Sequence, residues 1–323
     1  MDDPGLTPLR PFAAAWAVCL GAVVGSFLNV VIARVPRGQS VVSPRSRCPR
    51  CAAAIAWYDN VPVLSWILLR ARCRACGAPI SWRYPLVEAL AGTAGFLAFT
   101  RHGLGGAFAA ELTFVAVLVA LAFIDLDTWL LPHALTWPLI AFGLAASALG
   151  FSPAPIARSL LGAALGFAAF AAVSLLGEKI FRKEALGFGD VWLLAGIGAF
   201  LGAKALLPVV LLASLQGSVL GIALLLAGRG TPGPAPGPAD PASPPVPVPA
   251  STPGSTPAAA VPATPTEAAT PAGTAPPPAA PDNTWVPPRH ALPFGPFLAL
   301  GALEWLYLAD ALGRIVPALR LFR

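Results

Sequence analysis

Eight apolar runs, most of them about 20 residues long, leave this chain few ways to fold. They cover residues 12–33, 85–101, 106–124, 134–151, 157–177, 190–203, 205–227 and 291–309. At about 1.5 Å of rise per residue, some 20 helical residues cross the roughly 30 Å apolar layer of a bilayer. Lipid offers backbone amides no water, so such a run becomes a helix that closes its own hydrogen bonds. Composition points the same way. With 56% hydrophobic and 11% charged residues, and a mean hydropathy of +0.72, the chain has too little polar surface to cover a soluble globule of 323 residues. The expected fold is an all-α polytopic membrane protein with about eight transmembrane helices. The sixth run is short and rich in Gly and Ala, and is expected to tilt, to run into the seventh or to start inside the preceding loop. The first run is too long for a cleavable signal peptide, has only Arg10 before it and is followed by Arg34 and Arg37, so it is read as a retained helix.

Arginine sets the orientation. The loop from Arg34 to Arg83 holds nine Arg, no Lys and one acid, Asp59, whereas Asp2 and Asp3 precede the first helix. The positive-inside rule then puts this loop in the cytoplasm and the N-terminus outside. Counting spans onward brings the turns at Asp125 and Asp190 to the cytoplasmic side, the second beside Lys179, Arg182 and Lys183. The tail with Arg314, Arg320 and Arg323 would then lie outside, against the scheme. The nine Arg and one acid of that loop outweigh the whole chain's net charge of +6, a distribution that fits anionic lipid and topology rather than nucleic acid.

Residues 229–288 depart from the pattern. Pro, Ala, Thr, Gly and Ser dominate, no helical period appears, and the apolar content cannot offset the entropy of ordering. The segment is expected to be a disordered, extended linker. The chain thus divides into a first helix (1–34), a four-cysteine loop (35–84), a membrane core (85–228), the linker (229–288), and a last helix with its tail (289–323).

Cys48 and Cys51 form one C-x-x-C pair and Cys73 and Cys76 another, at the spacing of a four-thiolate zinc site of ribbon type. Two disulfides are the competing pairing, but a reducing cytoplasm disfavours them, and the neighbouring arginines lower thiol pKa values. Four sulfurs close the shell, so the zinc would be structural. Cys19, inside the first helix, reads as a small buried hydrophobe.

Two acids stand out. Asp125 in "FIDLDTWLLP" follows a long apolar run, and Asp190 in "GFGDVWLLAGIGAFLG" opens one. Ionisable groups at the membrane edge are costly to place there and mark function. Two carboxylates are the minimum equipment for metal-free hydrolysis of a peptide: close together they cannot both ionise, so one activates water while the other protonates the carbonyl oxygen. Gly187 and Gly189 would let a substrate backbone approach. Asp190 also reads as a simple helix cap. Glu111 is expected to be solvated near an outer helix end, Glu304 to pair inside the bundle, and His102 and His290 to lie at the surface.

Eight strings now occur in one order: "GSFLNVVIARVP", "RCPRC" and "CRACGAPIS" around "DNVPVLSW", "RYPLVEALAG", "IDLDTWLLPHALT", "GFGDVWLLAGIGAFLG" and "LPFGPFLALGA". The chain resembles the prepilin peptidases, the type 4 prepilin-like leader peptidase family of membrane aspartyl proteases, over nearly everything except the proline-rich insert. The resemblance implies that Asp125 and Asp190 are the catalytic pair. It implies cleavage of a basic leader from type IV prepilins and from pseudopilins of type II secretion, on the cytoplasmic face of the inner (cytoplasmic) membrane. It also implies N-methylation of the product with S-adenosylmethionine, for which the sequence offers no nucleotide-binding motif. Glu88 in "RYPLVEALAG" becomes a candidate for a substrate or methyl-transfer role, and Asp127 a solvated loop acid. Trp192 stands where the family usually has Lys, and His133 where Asp is common. The competing reading is a non-enzymatic assembly scaffold or transporter with a zinc-ribbon loop, which would not require both aspartates.

Overall fold

A computed structural model describes residues 7–181, 187–227 and 292–322. The linker expected at 229–288 lies outside the described residues, as do Asp2, Asp3, Arg182, Lys183, His290 and Arg323. The described structure is all helical apart from two isolated β-bridges, Arg47 with Ala54 and Arg72 with Pro79. Its helices are α1 (Arg10–Arg34), α2 (Leu64–Leu68), α3 (Arg83–His102), α4 (Gly106–Thr128), α5 (His133–Ala148), α6 (Ile156–Phe181), α7 (Phe188–Leu201), α8 (Ala203–Leu226) and α9 (Gly295–Ile315). All but α2 coincide with the apolar runs.

Helices α1, α4, α6 and α8 are long and apolar enough to cross a membrane, while α5 and α7 are shorter apolar helices. The brevity of α7 has a packing explanation. From Asp190 to Phe200 every residue except Trp192 is buried, so α7 is a core helix enclosed by α5, α6, α8 and α9. Helix α4 is the second core helix, and Phe114 on it stacks on Phe200 of α7 with ring centres 4.1 Å apart. The chain ends these helices with left-handed residues: Trp129 (φ 57°) stops α4, and Gly202 (φ 84°) alone turns α7 into α8.

In lipid the hydrophobic effect does not drive helices together, so close packing of small residues must. Gly21 and Gly25, a G-x-x-x-G pair on α1, lie against the α3 backbone; a Cβ on Gly25 would come within 2.6 Å of the Cα of Glu88. Gly162 and Gly166 do the same on α6, where a Cβ on Gly166 would stand 2.7 Å from the carbonyl oxygen of Leu194. Cys19, expected to be buried, is instead exposed on α1.

At one end of the bundle α3, α4 and α9 are pinned by a buried acid. Glu111, expected to be solvated, is only 3% exposed and meets His102 Nε2 at 2.8 Å and Arg101 Nη1 at 3.1 Å. Arg101 also donates to the Leu306 carbonyl (3.0 Å) and lies over the Tyr307 ring. Sequence position alone hid this because the partners of Glu111 stand on another helix. Glu304 does pair inside the bundle: Gln216 Nε2 donates to it at 2.5 Å.

Candidate active site and thiolate cluster

Both aspartates lie at the opposite end of the bundle. Asp125 is one turn before the end of α4, where Trp129 donates its N–H to the Asp125 carbonyl (2.9 Å). Asp190 is the third residue of α7; Gly187 holds the N-cap position and makes no side-chain cap bond, so Asp190 is not the cap its sequence context allowed. The two carboxylates are nearly inaccessible, 5% and 7% exposed, and lie within electrostatic reach of each other.

What surrounds them comes from the start of α9 and the α4–α5 turn. The Gly295 amide donates to Asp125 Oδ2 (3.0 Å). A Cβ on Gly295 would stand 2.5 Å from that oxygen and 3.3 Å from Leu131 Cδ1. A Cβ on Gly189 would meet the Leu131 Cβ at 2.6 Å, so Leu131 fills the space between the glycines adjoining each aspartate. Asp190 Oδ1 is buried without a hydrogen-bond partner. Buried polar atoms are nearly always satisfied, so an orphaned carboxylate oxygen marks a place where something else is expected to bond. Sequence reasoning quoted "LPFGPFLALGA" but singled out neither Gly295 nor Leu131; nothing local links an amide to a carboxylate 170 positions away.

Asp127 is not merely solvated. Arg83 Nη1 donates to both its oxygens (2.6 and 2.7 Å), Nη2 donates to the Phe123 carbonyl (2.9 Å), and the guanidinium lies over the Phe123 ring. Glu88 is buried, and its Oε2 accepts the Val63 amide (2.7 Å) from the arginine-rich loop. These two contacts root the loop at the aspartate end. His133 begins α5 with its ring stacked on Trp137, and Trp192 completes an aromatic group with Trp137, His133, Phe167 and Phe188. His102 lies at the surface as expected, with its Nε2 on Glu111.

The four cysteines come together. Their sulfurs all lie within 4.8 Å of one another, and Cys48 Sγ is 3.8 Å from Cys76 Sγ. A tetrahedron with Zn–S bonds of about 2.3 Å has edges of about 3.8 Å, so the donor set fits that ion. The two halves are built alike. Cys48 N–H bonds to the Ala53 carbonyl (2.9 Å) and Cys73 N–H to that of Ala78 (2.8 Å), while Ala52 and Gly77, each following a second cysteine, are left-handed. Backbone N–H groups of Cys51 and Arg50 pull the Cys48 thiol down to about 6, a value that favours the thiolate a metal needs. Arg74, between Cys73 and Cys76, holds Asp59 in a two-pronged pair (2.6–3.1 Å) that keeps its carboxyl below the usual range.

The bacterial peptidase A24 N-terminal domain matches residues 19–102, and the type IV leader peptidase family matches residues 112–222. A prepilin leader peptidase/N-methyltransferase of Myxococcus xanthus is 46% identical over 95% of this chain and 94% of its own length. Proteins of the same name from Burkholderia pseudomallei (37% identical, 69% of this chain, 82% of the relative) and Neisseria gonorrhoeae (36%, 69%, 86%) are also similar. No solved structure matches the chain. With an all-helical membrane fold, two buried aspartates at one end and a near full-length relative, the chain belongs to the type IV leader peptidase family.

Proposed function

We propose that this protein is an aspartic endopeptidase that removes the leader from type IV prepilins and type II secretion pseudopilins, and that Asp125 and Asp190 are its catalytic pair. The observation that carries the reading is the meeting of two buried carboxylates from α4 and α7 at one bundle end, one bonded by the Gly295 amide and the other with an orphaned oxygen. An N–H donor suits the charged member of such a pair, so Asp125 takes the proton from water. The resulting hydroxide attacks the scissile carbonyl carbon, and Asp190 gives its proton to the carbonyl oxygen. Collapse breaks the C–N bond as one hydroxyl returns its proton to Asp190, and the amine leaves with the proton that Asp125 had taken. Without the pair the peptide bond has no partner for either proton transfer.

The arginine-rich loop shares the bundle end of the aspartates, which supports a site facing the cytoplasm from the cytoplasmic membrane. Cys48, Cys51, Cys73 and Cys76 hold one structural zinc, with no open position for chemistry. The names of the relatives support a second activity, N-methylation of the new amine, for which S-adenosylmethionine would supply the methyl group. A scaffold without activity has no use for two acids in this position.

Incubating the detergent-solubilised protein with a prepilin and sequencing the product's N-terminus tests the reading. Asp125→Asn and Asp190→Asn should each lower cleavage by about 10³-fold or more with membrane insertion unchanged; retained cleavage by either variant removes that residue from the pair. Elemental analysis should give about one zinc per chain, lost in the Cys48→Ser/Cys76→Ser double variant.

A further inference from the structure

The loop helix α2 has its amphipathic pattern reversed. Leu64, Ile67 and Leu68, at the i, i+3, i+4 spacing of one helix face, are 52%, 58% and 71% exposed, while Ser65 is buried. Ser65 is fully used on the inner side: its hydroxyl donates to the Tyr58 carbonyl and accepts the Val61 amide, both at 3.0 Å. Apolar residues therefore face outward because the helix is built that way.

Its depth says what they face. The residue before α2, Val63, is tied to Glu88 on α3. Glu88 lies against Gly25 of α1, since a Cβ there would be 2.6 Å from the Glu88 Cα. Gly25 is nine residues short of the end of α1 at Arg34, about 13 Å along the axis. The start of α2 is thus held beside apolar turns of two long helices. Arg70 and Arg72 follow α2 and are exposed, Trp82 (68% exposed) and Tyr84 (45%) mark the start of α3, and the loop's one acid, Asp59, is already committed to Arg74.

We propose that α2 is an interfacial helix: Leu64, Ile67 and Leu68 insert into the leaflet beside α1 and α3, and Arg70 and Arg72 engage anionic headgroup phosphates above them. Outward apolar residues at this depth, a basic flank and flanking aromatics are the equipment of a helix lying in the membrane surface. The lipid contact fixes the height of the thiolate cluster over the bundle end. It does not depend on the peptidase reading.

The test uses the full-length, zinc-loaded protein in nanodiscs of phosphatidylethanolamine and phosphatidylglycerol, with a photo-crosslinking p-benzoylphenylalanine replacing Leu68, Leu220 on α8 or Gln39. The expected result is a lipid adduct at position 68 comparable to that at 220 and about tenfold above that at 39. An adduct at 68 to an added prepilin or to a second copy of the chain, or none while 220 labels lipid, overturns the proposal. Hydrogen exchange of residues 63–72 reads the charge contribution. Protection should be greater with phosphatidylglycerol than with phosphatidylcholine, fall with salt, and lose both dependences in Arg70→Gln/Arg72→Gln protein that retains its zinc. Equal protection in both lipids overturns the headgroup contact.

Discussion

Single atoms decide the geometry around Asp125. Gly295→Ala would place a methyl group 2.5 Å from Asp125 Oδ2, in the line of the amide bond that holds it. A displacement of that order at a reacting group costs on the order of 10² in rate, so cleavage by Gly295→Ala should fall about that far with the zinc content unchanged. Gly189→Ala collides with Leu131 Cβ instead. There the neighbour is a side chain, and Leu131→Gly, which removes the colliding Cβ, should restore part of the activity lost in Gly189→Ala, a coupling a double-mutant cycle would read as non-additive. The two thiolate turns give a residue-scale control. Ala52 adopts φ 55° where its counterpart is Gly77 at φ 69°. Ala52→Gly should leave the loop as stable or up to about 1 kcal/mol more stable, and Gly77→Val should cost at least about that much. Resistance of the bound zinc to a chelator measures both.

Helix contacts are held by two devices. Along α1 and α3 it is the absence of side chains: Gly21 meets the carbonyl of Ala91, and no side chain fits there. Gly21→Val should destabilise the bundle by about 1–3 kcal/mol through overpacking, seen as a lower melting temperature in detergent. At the end remote from the aspartates, α3, α4 and α9 are joined by Glu111 with Arg101 and His102. Arg101 and His102 are 35% and 30% exposed, so what removal of Glu111 leaves behind can be hydrated, and the cost is about that of a charged hydrogen bond, roughly 1.5–3 kcal/mol. Glu111→Ala should therefore melt earlier than the parent protein, while the cleavage rate of the folded fraction stays the same, since the Glu111 cluster touches neither aspartate. A large fall in that rate would show that the two ends are coupled.

For the molecule as a whole, α8 and α9 meet across the two sides of the proline-rich insert. The end of α8 and the residues leading into α9 are neighbours; a Cβ on Gly221 would be 3.9 Å from Leu292 Cδ1. A connection of about 10 residues reaches roughly 33 Å when extended, more than such adjacent ends need. Deleting residues 233–278 should preserve cleavage and zinc, and limited proteolysis of the intact chain should cut first between those positions. Loss of cleavage in a deletion variant that still inserts and holds zinc would give the insert a function of its own. The return of α9 also brings the Gly295 amide to Asp125, which would otherwise lose that donor.

The helices and the identity of the candidate residues were legible in the sequence, for a reason rooted in lipid. A bilayer forces every apolar run of sufficient length into a helix, so α1 and α3 to α9 could be placed from hydropathy, and it makes any carboxylate among them conspicuous. Four cysteines in two short turns are equally local, and their spacing alone announced the cluster. Contacts across the bundle were not legible. Glu111 looked solvated because its partners Arg101 and His102 lie on another helix, Asp127 looked free because Arg83 is 44 positions away, and the outward face of α2 was unremarkable until its depth beside Gly25 and Glu88 was known. Apolar periodicity records which residues avoid water, not which helices they face; only the close approach of glycine-lined backbones, decided in three dimensions, brings Asp125, Asp190, Leu131 and the Gly295 amide to one place.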